Sequence, residues 1–296
     1  MPEPFAAIEN GTLIEATNAD AVVPWWSFTK TVIAAAALVL VQQNRLDLDR
    51  PLAGRRYSLQ QLLLHRAGLT DYGALAAYHQ AVAADDEPWP AAVLLERTQA
   101  ERLRYQPGQG WAYSNIGYLF VRELIERTCG EELGAALSRL ALRPLGAEHA
   151  RLARVRADLD GVTMGIRSYH PGWVYHGLLV GPLREAALLL DRLMTGALLS
   201  PVLLDEMRDA HPLDVSGQGH QGHQARPWHA PAYGLGLMGG VTSNGTRAFG
   251  HTGGGPGSVI AVYRLPDAEP PYTAAAFAFG EDPAPVEERV LNRGSA

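Results

Sequence analysis

Apolar and polar positions alternate near the two ends of the chain, while a 3.6-residue apolar spacing runs through its middle. Phe5 to Glu9 and Thr12 to Ala16 flank Asn10-Gly11, a pair suited to tight two-residue turns, and predict a hairpin. Trp26 to Asn44 predicts a nearly all-apolar helix with a polar far end, followed by a charged connection from Asp47 to Arg56. A helix is expected from Ser58, its N-cap, to His65, with Gly68 as the stop. Residues 74–104 predict two helical pieces broken at Asp85 to Pro90. Pro107-Gly108 marks a turn before a helix from Asn115 to Cys129 that ends at Gly130. Further helices are expected over Glu131 to Leu142 and over residues 182–209. Asp214 to Pro231 reads as a polar loop, long enough to be a lid. Tyr233 to Gly239, Arg247 to His251, Ser258 to Leu265 and Thr273 to Phe279 then read as strands, with Asn244-Gly245 as another turn.

Strands at both ends and helices between them predict one α+β domain with an antiparallel sheet made by the two termini. Residues 1–56 and 233–296 would form the sheet, and 57–232 a mainly helical insertion.

A chain of 296 residues buries enough surface to hold a core without cross-links, and a single cysteine, Cys129, permits no internal disulfide and no cysteine-rich metal site. The formal charge of −6 argues against a nucleic-acid binder. The longest apolar run, Val32 to Val41, is about half of what a membrane-spanning helix needs, so a buried core helix is expected. Met1 to Phe5 has neither a basic nor an apolar leader pattern, and the expected location is cytoplasmic.

The basic residues sharpen the picture. Of 25, only Lys30 is a lysine. Where charge alone matters arginine serves, so the surviving lysine is expected where a side chain must lose its proton. Ser27 stands three residues before it, on the same face of the predicted helix. A serine hydroxyl is a weak nucleophile until a base takes its proton, and a lysine desolvated by the following alanines and valines can be that base. Ser27 as a simple N-cap and Lys30 as a surface residue is the alternative. Tyr113-Ser-Asn115 is a second candidate: a phenol beside a cationic lysine can be held partly as phenolate, and an amide can hold a substrate carbonyl. The alternative there is a core tyrosine beside a capping asparagine. His251-Thr252-Gly253-Gly254-Gly255 is the third, because glycines at a strand edge admit a substrate backbone, although glycine-rich turns are common.

In this order the three motifs resemble the serine β-lactamase and penicillin-binding-protein superfamily, and within it the group of class C β-lactamases, D-aminopeptidases and esterases. Leu62 to Tyr72, Tyr105 to Tyr118, Arg143-Pro-Leu-Gly146 and Tyr233-Gly-Leu-Gly236 are also similar to that group. The resemblance implies an acylated Ser27, Lys30 as its base and Tyr113 as acid/base partner. It implies that Asn115, His251, Thr252, Gly253 and Gly254 bind substrate, with the N–H groups of Ser27 and Gly254 as an oxyanion hole. The implied reaction is acyl transfer and hydrolysis of a small-molecule ester, amide or lactam, with no metal or cofactor. Where many relatives carry lysine this chain has His251, mostly neutral at pH 7 at its ordinary pKa of ~6.5, which disfavours carboxylate-bearing antibiotics and favours neutral esters. Few residues before Ser27 and a compact stretch from 150 to 230 suggest an open cleft.

Two readings of another class stand beside this one. His211, His220, His223 and His229 suggest a zinc site, but lack a carboxylate or cysteine at suitable spacing. A non-catalytic sensor with the same fold would be expected to have lost Lys30 or Tyr113, and both are present. Trp25, Trp26, Trp111, Trp173 and Trp228 are candidates either for the cleft or for the core.

Overall fold

The computed structural model describes residues 2–166, 168–213 and 227–293. The chain opens with strands β1 (Phe5–Glu9), β2 (Thr12–Thr17) and β3 (Val22–Pro24). Six helices follow: α1 (Thr29–Gln42), α2 (Leu59–Leu63), α3 (Ala76–Ala83), α4 (Ala91–Arg97), α5 (Asn115–Cys129) and α6 (Leu133–Leu137). Next come β4 (Arg151–Ala153), β5 (Leu178–Pro182), α7 (Leu183–Met194), α8 (Pro201–Arg208), β6 (His211–Pro212) and β7 (Trp228–Tyr233). The chain closes with β8 (Met238–Thr242), β9 (Arg247–Gly255), β10 (Ser258–Leu265), β11 (Tyr272–Phe279) and α9 (Ala284–Leu291).

The large sheet has the order β2-β1-β11-β10-β9-β8-β7-β6, antiparallel throughout, so the N-terminal hairpin completes a sheet built mostly from the C-terminal third. Its central strands are buried on both faces, and their side chains divide with the period of two that a strand imposes. Ala6, Ile8, Ile260, Val262, Ala275 and Phe277 join the core that contains α1 and α7. Phe5, Ala7, Val259, Ala261, Ala274 and Ala276 face the other way, toward α9. Asp191 fastens α7 to the sheet by accepting hydrogen bonds from Arg264 at 2.6 Å, Thr273 at 2.8 Å and the Gly11 amide at 2.9 Å. From Thr29 to Leu40, α1 is buried all round, so it needs no polar face and reads as one apolar run. Among the described residues no helix is long and apolar enough to cross a membrane.

Several expected elements take a different form. The helix expected from Trp26 starts as a 3₁₀ turn over Trp26–Phe28 that carries Ser27 ahead of α1. Ser58 does cap α2, in a reciprocal capping box with Gln61. The helix ends at Leu64, however, with His65 in the left-handed region, and not at Gly68. Gly68 is required for another reason: a Cβ there would lie 2.4 Å from the Tyr105 carbonyl oxygen. Residues 182–209 form two helices, with Ser200 capping α8. The α6 helix gives way to a wider π-type turn over Ser138–Leu142.

Tyr233 to Gly239 is not one strand: Tyr233 ends β7, Met238 and Gly239 open β8, and residues 234–237 connect them in a turn closed by Gly234 N–H donating to Leu237 O at 2.8 Å. It is apolar because Leu235 and Leu237 are buried in the core, and Gly236 is needed where a Cβ would stand 2.3 Å from the Ala34 Cβ. The tail of the expected 214–231 loop belongs to β7, while residues 214–226, including His220 and His223, lie outside the described residues. The small β3-β5-β4 sheet and α9 had no clear periodic signal.

Candidate active site

The structure brings Ser27, Lys30, Tyr113 and Asn115 together. Ser27 Oγ accepts hydrogen bonds from Lys30 Nζ at 3.2 Å and from the Tyr113 hydroxyl at 3.0 Å. Lys30 Nζ also donates to Asn115 Oδ1 at 2.7 Å. Three supports hold this geometry. The 3₁₀ turn and α1 set the Ser27–Lys30 spacing. Ser114 caps α5, donating its hydroxyl to Thr70 O at 2.7 Å and accepting from Gly117 N–H at 3.1 Å, which places Tyr113 just before the helix. Asp71, absent from the expected set, receives the Asn115 backbone N–H at 2.7 Å and its side-chain Nδ2 at 3.3 Å, so the Asn115 oxygen is the atom that faces Lys30.

Trp26, the residue before Ser27, sits at φ 40, a left-handed conformation that costs about 1–3 kcal/mol for such a side chain. Its ring is held by a hydrogen bond from Nε1 to Ser258 Oγ at 3.1 Å and by edge contact with Tyr169 at 5.6 Å.

Burial sets the proton chemistry. Lys30 is fully buried, and desolvation lowers its pKa from 10.5 to about 7 against the opposing pull of the Asp71 carboxylate. About half of the lysine is therefore neutral at pH 7. Desolvation raises Tyr113 above its ordinary 10, which outweighs the Ser27 hydrogen bond. The resting Tyr113 is accordingly a neutral phenol and not the partial phenolate expected from a cationic neighbour, because its own desolvation dominates. Desolvation likewise raises Asp71, although the Asn115 and Gly73 N–H groups and Lys30 hold it down.

His176 was not anticipated. It is buried, and its Nε2 stands 3.1 Å from Lys30 Nζ. The only sequence signal was a histidine in an otherwise apolar stretch leading into β5.

The histidine–glycine motif lies inside β9 and not in a turn. Strand β8 pairs with β9 only as far as Gly250, and beyond it β9 runs past the Ser27 turn. A Cβ on Gly253 would lie 2.6 Å from the Ser27 amide nitrogen, and one on Gly255 would lie 2.4 Å from the Trp26 ring. Gly253 is thus a packing position against the nucleophile's backbone, while His251, Thr252 and Gly254 line the cleft. Gly253→Ala is expected to cost about 1–3 kcal/mol of stability. Displacing Ser27 should also lower hydrolytic kcat/KM about 100-fold. A thermal melt with an ester assay checks both, and an alanine variant with full activity would contradict the tight β9–Ser27 contact.

His251 is fully buried and its ring nitrogens are committed. The Ser114 backbone N–H donates to His65 Nδ1 at 3.1 Å, so His65 carries its proton on Nε2, 3.1 Å from the Tyr233 hydroxyl. Tyr233 can then donate to His251 Nε2 at 3.0 Å, and His251 Nδ1–H to the Thr252 carbonyl at 2.6 Å. Thr252 Oγ1 bonds the Tyr263 hydroxyl at 2.8 Å and donates to Glu287, whose carboxyl is pushed up to about 7 by burial.

Two lobes of the cleft meet at Ser27 and Gly254. One, of about 510 Å³, is lined by Trp111, Tyr113, Trp228, Met238, His251 and Glu287 among others. The second, of about 390 Å³, is walled by Trp26, Tyr72, Tyr78, Tyr169 and Val174, with Asn115 and His176 at its base. The tryptophans therefore divide: Trp25 and Trp173 are core, Trp26 is buried with its ring edge on the cleft, and Trp111 and Trp228 line it. His211 and His229 lie on β6 and β7, and among the described residues no three His, Cys, Asp or Glu side chains are placed to hold a metal.

Known proteins resemble the chain in sequence and in fold. The chain is 29% identical to Esterase EstB of Burkholderia gladioli over 140 residues, 40% of this chain and 36% of that protein, so it matches little more than a third of this curated relative's length. Its fold is similar to that of a D-stereospecific amidohydrolase from Streptomyces sp., with TM-score 0.80 and 22% identity, covering 99% of this chain and 94% of that one. It is similar also to a D-amino acid amidase from Ochrobactrum anthropi SV3, with TM-score 0.75 and 22% identity over 93% of this chain and 86% of the other. The model of the Beta-lactamase family matches residues 5–289, nearly the whole chain. With this fold and this match, the chain belongs to the Beta-lactamase family.

Proposed function

We propose that the protein is an esterase that hydrolyses small neutral acyl substrates through a covalent intermediate on Ser27. The observation that carries this reading is the convergence on Ser27 Oγ of Lys30 Nζ, discharged near neutral pH, and the Tyr113 phenol. Neutral Lys30 takes the Ser27 proton as Oγ attacks the substrate carbonyl carbon, and the oxyanion is held by the N–H groups of Ser27 and Gly254. As the tetrahedral intermediate collapses, Tyr113 gives its proton to the departing oxygen or nitrogen and regains one from the Lys30 ammonium. Water then repeats the sequence on the acyl-enzyme, with Ser27 as leaving group.

The leaving group must lie beside its acid, so it occupies the larger lobe that contains Tyr113, and the acyl group the aromatic lobe beside Asn115. Preference for neutral substrates is supported by the engagement of both His251 ring nitrogens and by the acidic Glu281 and Asp282 along the larger lobe. Binding a substrate carboxylate there would meet like charge, and among the described residues lining this lobe none is a lysine or arginine. A p-nitrophenyl ester of a short acid should therefore be turned over at least about tenfold more efficiently than a chromogenic cephalosporin, whose carboxylate would face those acids, in the spirit of a single like-charge contact. Efficient cephalosporin turnover would make the protein a β-lactamase and overturn the role given to His251. The same acidic side chains favour a second reading, an amidase for substrates with a free amino group. Turnover of D-amino-acid amides above that of esters would establish it.

A further inference from the structure

We propose that His176 is a positioning residue for the proton transfer: a neutral imidazole, protonated on Nδ1, whose Nε2 accepts one Lys30 proton and so turns the amine lone pair onto Ser27 Oγ. The inference rests on Lys30 acting as the base and adds the group that determines whether it can.

Among the described residues Lys30 Nζ has three hydrogen-bond neighbours, Ser27 Oγ at 3.2 Å, Asn115 Oδ1 at 2.7 Å and His176 Nε2 at 3.1 Å, as many as the directions a tetrahedral amine offers. A neutral amine has two protons and one lone pair. Asn115 Oδ1 only accepts, because its amide nitrogen is turned to Asp71, so it takes one proton. One proton and the lone pair remain for Ser27 and His176. If His176 Nε2 accepts, the lone pair meets the Ser27 hydroxyl and Lys30 can deprotonate it. If Nε2 carried a proton, it would occupy the lone pair and Lys30 would donate to Ser27, leaving no base.

The ammonium form decides between these tautomers. Once Lys30 holds three protons it can only donate, so Nε2 must accept and the imidazole proton must sit on Nδ1. Moving that proton between turnovers would need a partner at Nδ1, and Nδ1 is a buried atom with none among the described residues. One tautomer therefore serves both states of Lys30. The ring also stays neutral: it is fully desolvated, and it faces Lys30, His251, Arg122 and His65, which all oppose a positive charge. Asp71 faces Lys30, and Tyr113 and Tyr118 present their rings at 5.0 and 5.7 Å from Nζ, so the carboxylate and the two rings are what favour the ammonium.

Ester hydrolysis by His176→Leu, His176→Gln and wild type should be followed from pH 5 to 9. Loss of an acceptor to the developing ammonium should lower the His176→Leu plateau of kcat by about 10- to 100-fold with little change in KM. The acidic limb should move about one pH unit lower, because the ammonium loses a partner. Glutamine, whose amide oxygen can accept, should recover most of both effects. A Leu variant whose limb stays at the wild-type pH would overturn the proposal, because a merely structural histidine would leave the limb in place. Nitrogen-15 spectra of histidine-labelled wild type need no variant: a ring protonated on Nδ1 and bare at Nε2 from pH 6 to 9, absent in His176→Gln, is expected, and an Nε2–H tautomer would refute the proposal. Failure of the Ser27–Lys30 reading itself is separate, since Ser27→Ala would then retain turnover whatever the state of His176.

Discussion

Lys30→Arg lowers kcat/KM for ester hydrolysis by about 10³- to 10⁴-fold, the range expected for loss of a positioned base and its reciprocal acid step. The substitution keeps the charge and most of the side-chain length, and removes only the ability to give up a proton near neutral pH. Lys30 is wholly buried with Ser27, Asn115 and His176 against its amine, so the larger guanidinium should also cost about 1–3 kcal/mol of stability through overpacking. A melt measured beside the assay separates the two effects, because a folded variant at 25 °C with vanishing turnover isolates the chemical loss. Near-normal activity in a folded Lys30→Arg protein would contradict the deprotonation argument.

The second large effect is on stability and follows from the same pKa. Lys30 titrates at about 7 in the folded chain and 10.5 unfolded, so between these values the unfolded state binds more protons than the native state. Stability then rises with pH across that window: the burial penalty is fully present below pH 7 and fades as pH climbs toward 10.5. Integrated from pH 6 to pH 10, the gain is about 4 kcal/mol. Lys30→Met lacks the group, so the wild type should gain on it by about that amount over the same range. Paired urea denaturation of the two proteins at pH 6 and pH 10 reads the difference directly, and contributions of titrating groups not coupled to Lys30 cancel. A constant difference across pH would mean that Lys30 is not held near 7. The same value places the acidic limb of wild-type activity near pH 7, rising as the amine discharges.

Much of this site was legible because its chemistry left local marks. The single lysine, three residues after a serine and before an apolar run, pointed to a buried amine beside that serine, and the structure places both side chains in contact. Helices α1, α5 and the two pieces within 74–104 followed from spacing and from their stops at Gly130 and Pro90. What could not be read was set by tertiary contact. His176 approaches Lys30 across 146 residues, and Asp71 reaches Asn115 across 44. The His251 ring belongs to a chain through Tyr233 and His65 that no spacing rule encodes. Tyr233 to Gly239 looked like a strand because burial under the sheet made a turn apolar. Charge proximity along the sequence pointed to a partial phenolate at Tyr113, whereas burial, which no sequence pattern encodes, desolvates the phenol and keeps it neutral.

The central claim is that Ser27 becomes acylated, and intact-mass measurement after incubation with a fluorophosphonate probe at pH 8 tests it most directly. One adduct per chain, mapped to the peptide containing Ser27 and absent in Ser27→Ala, is the predicted result. An adduct that persists in Ser27→Ala, or ester turnover by a wild-type chain that never takes up the probe, would contradict the account.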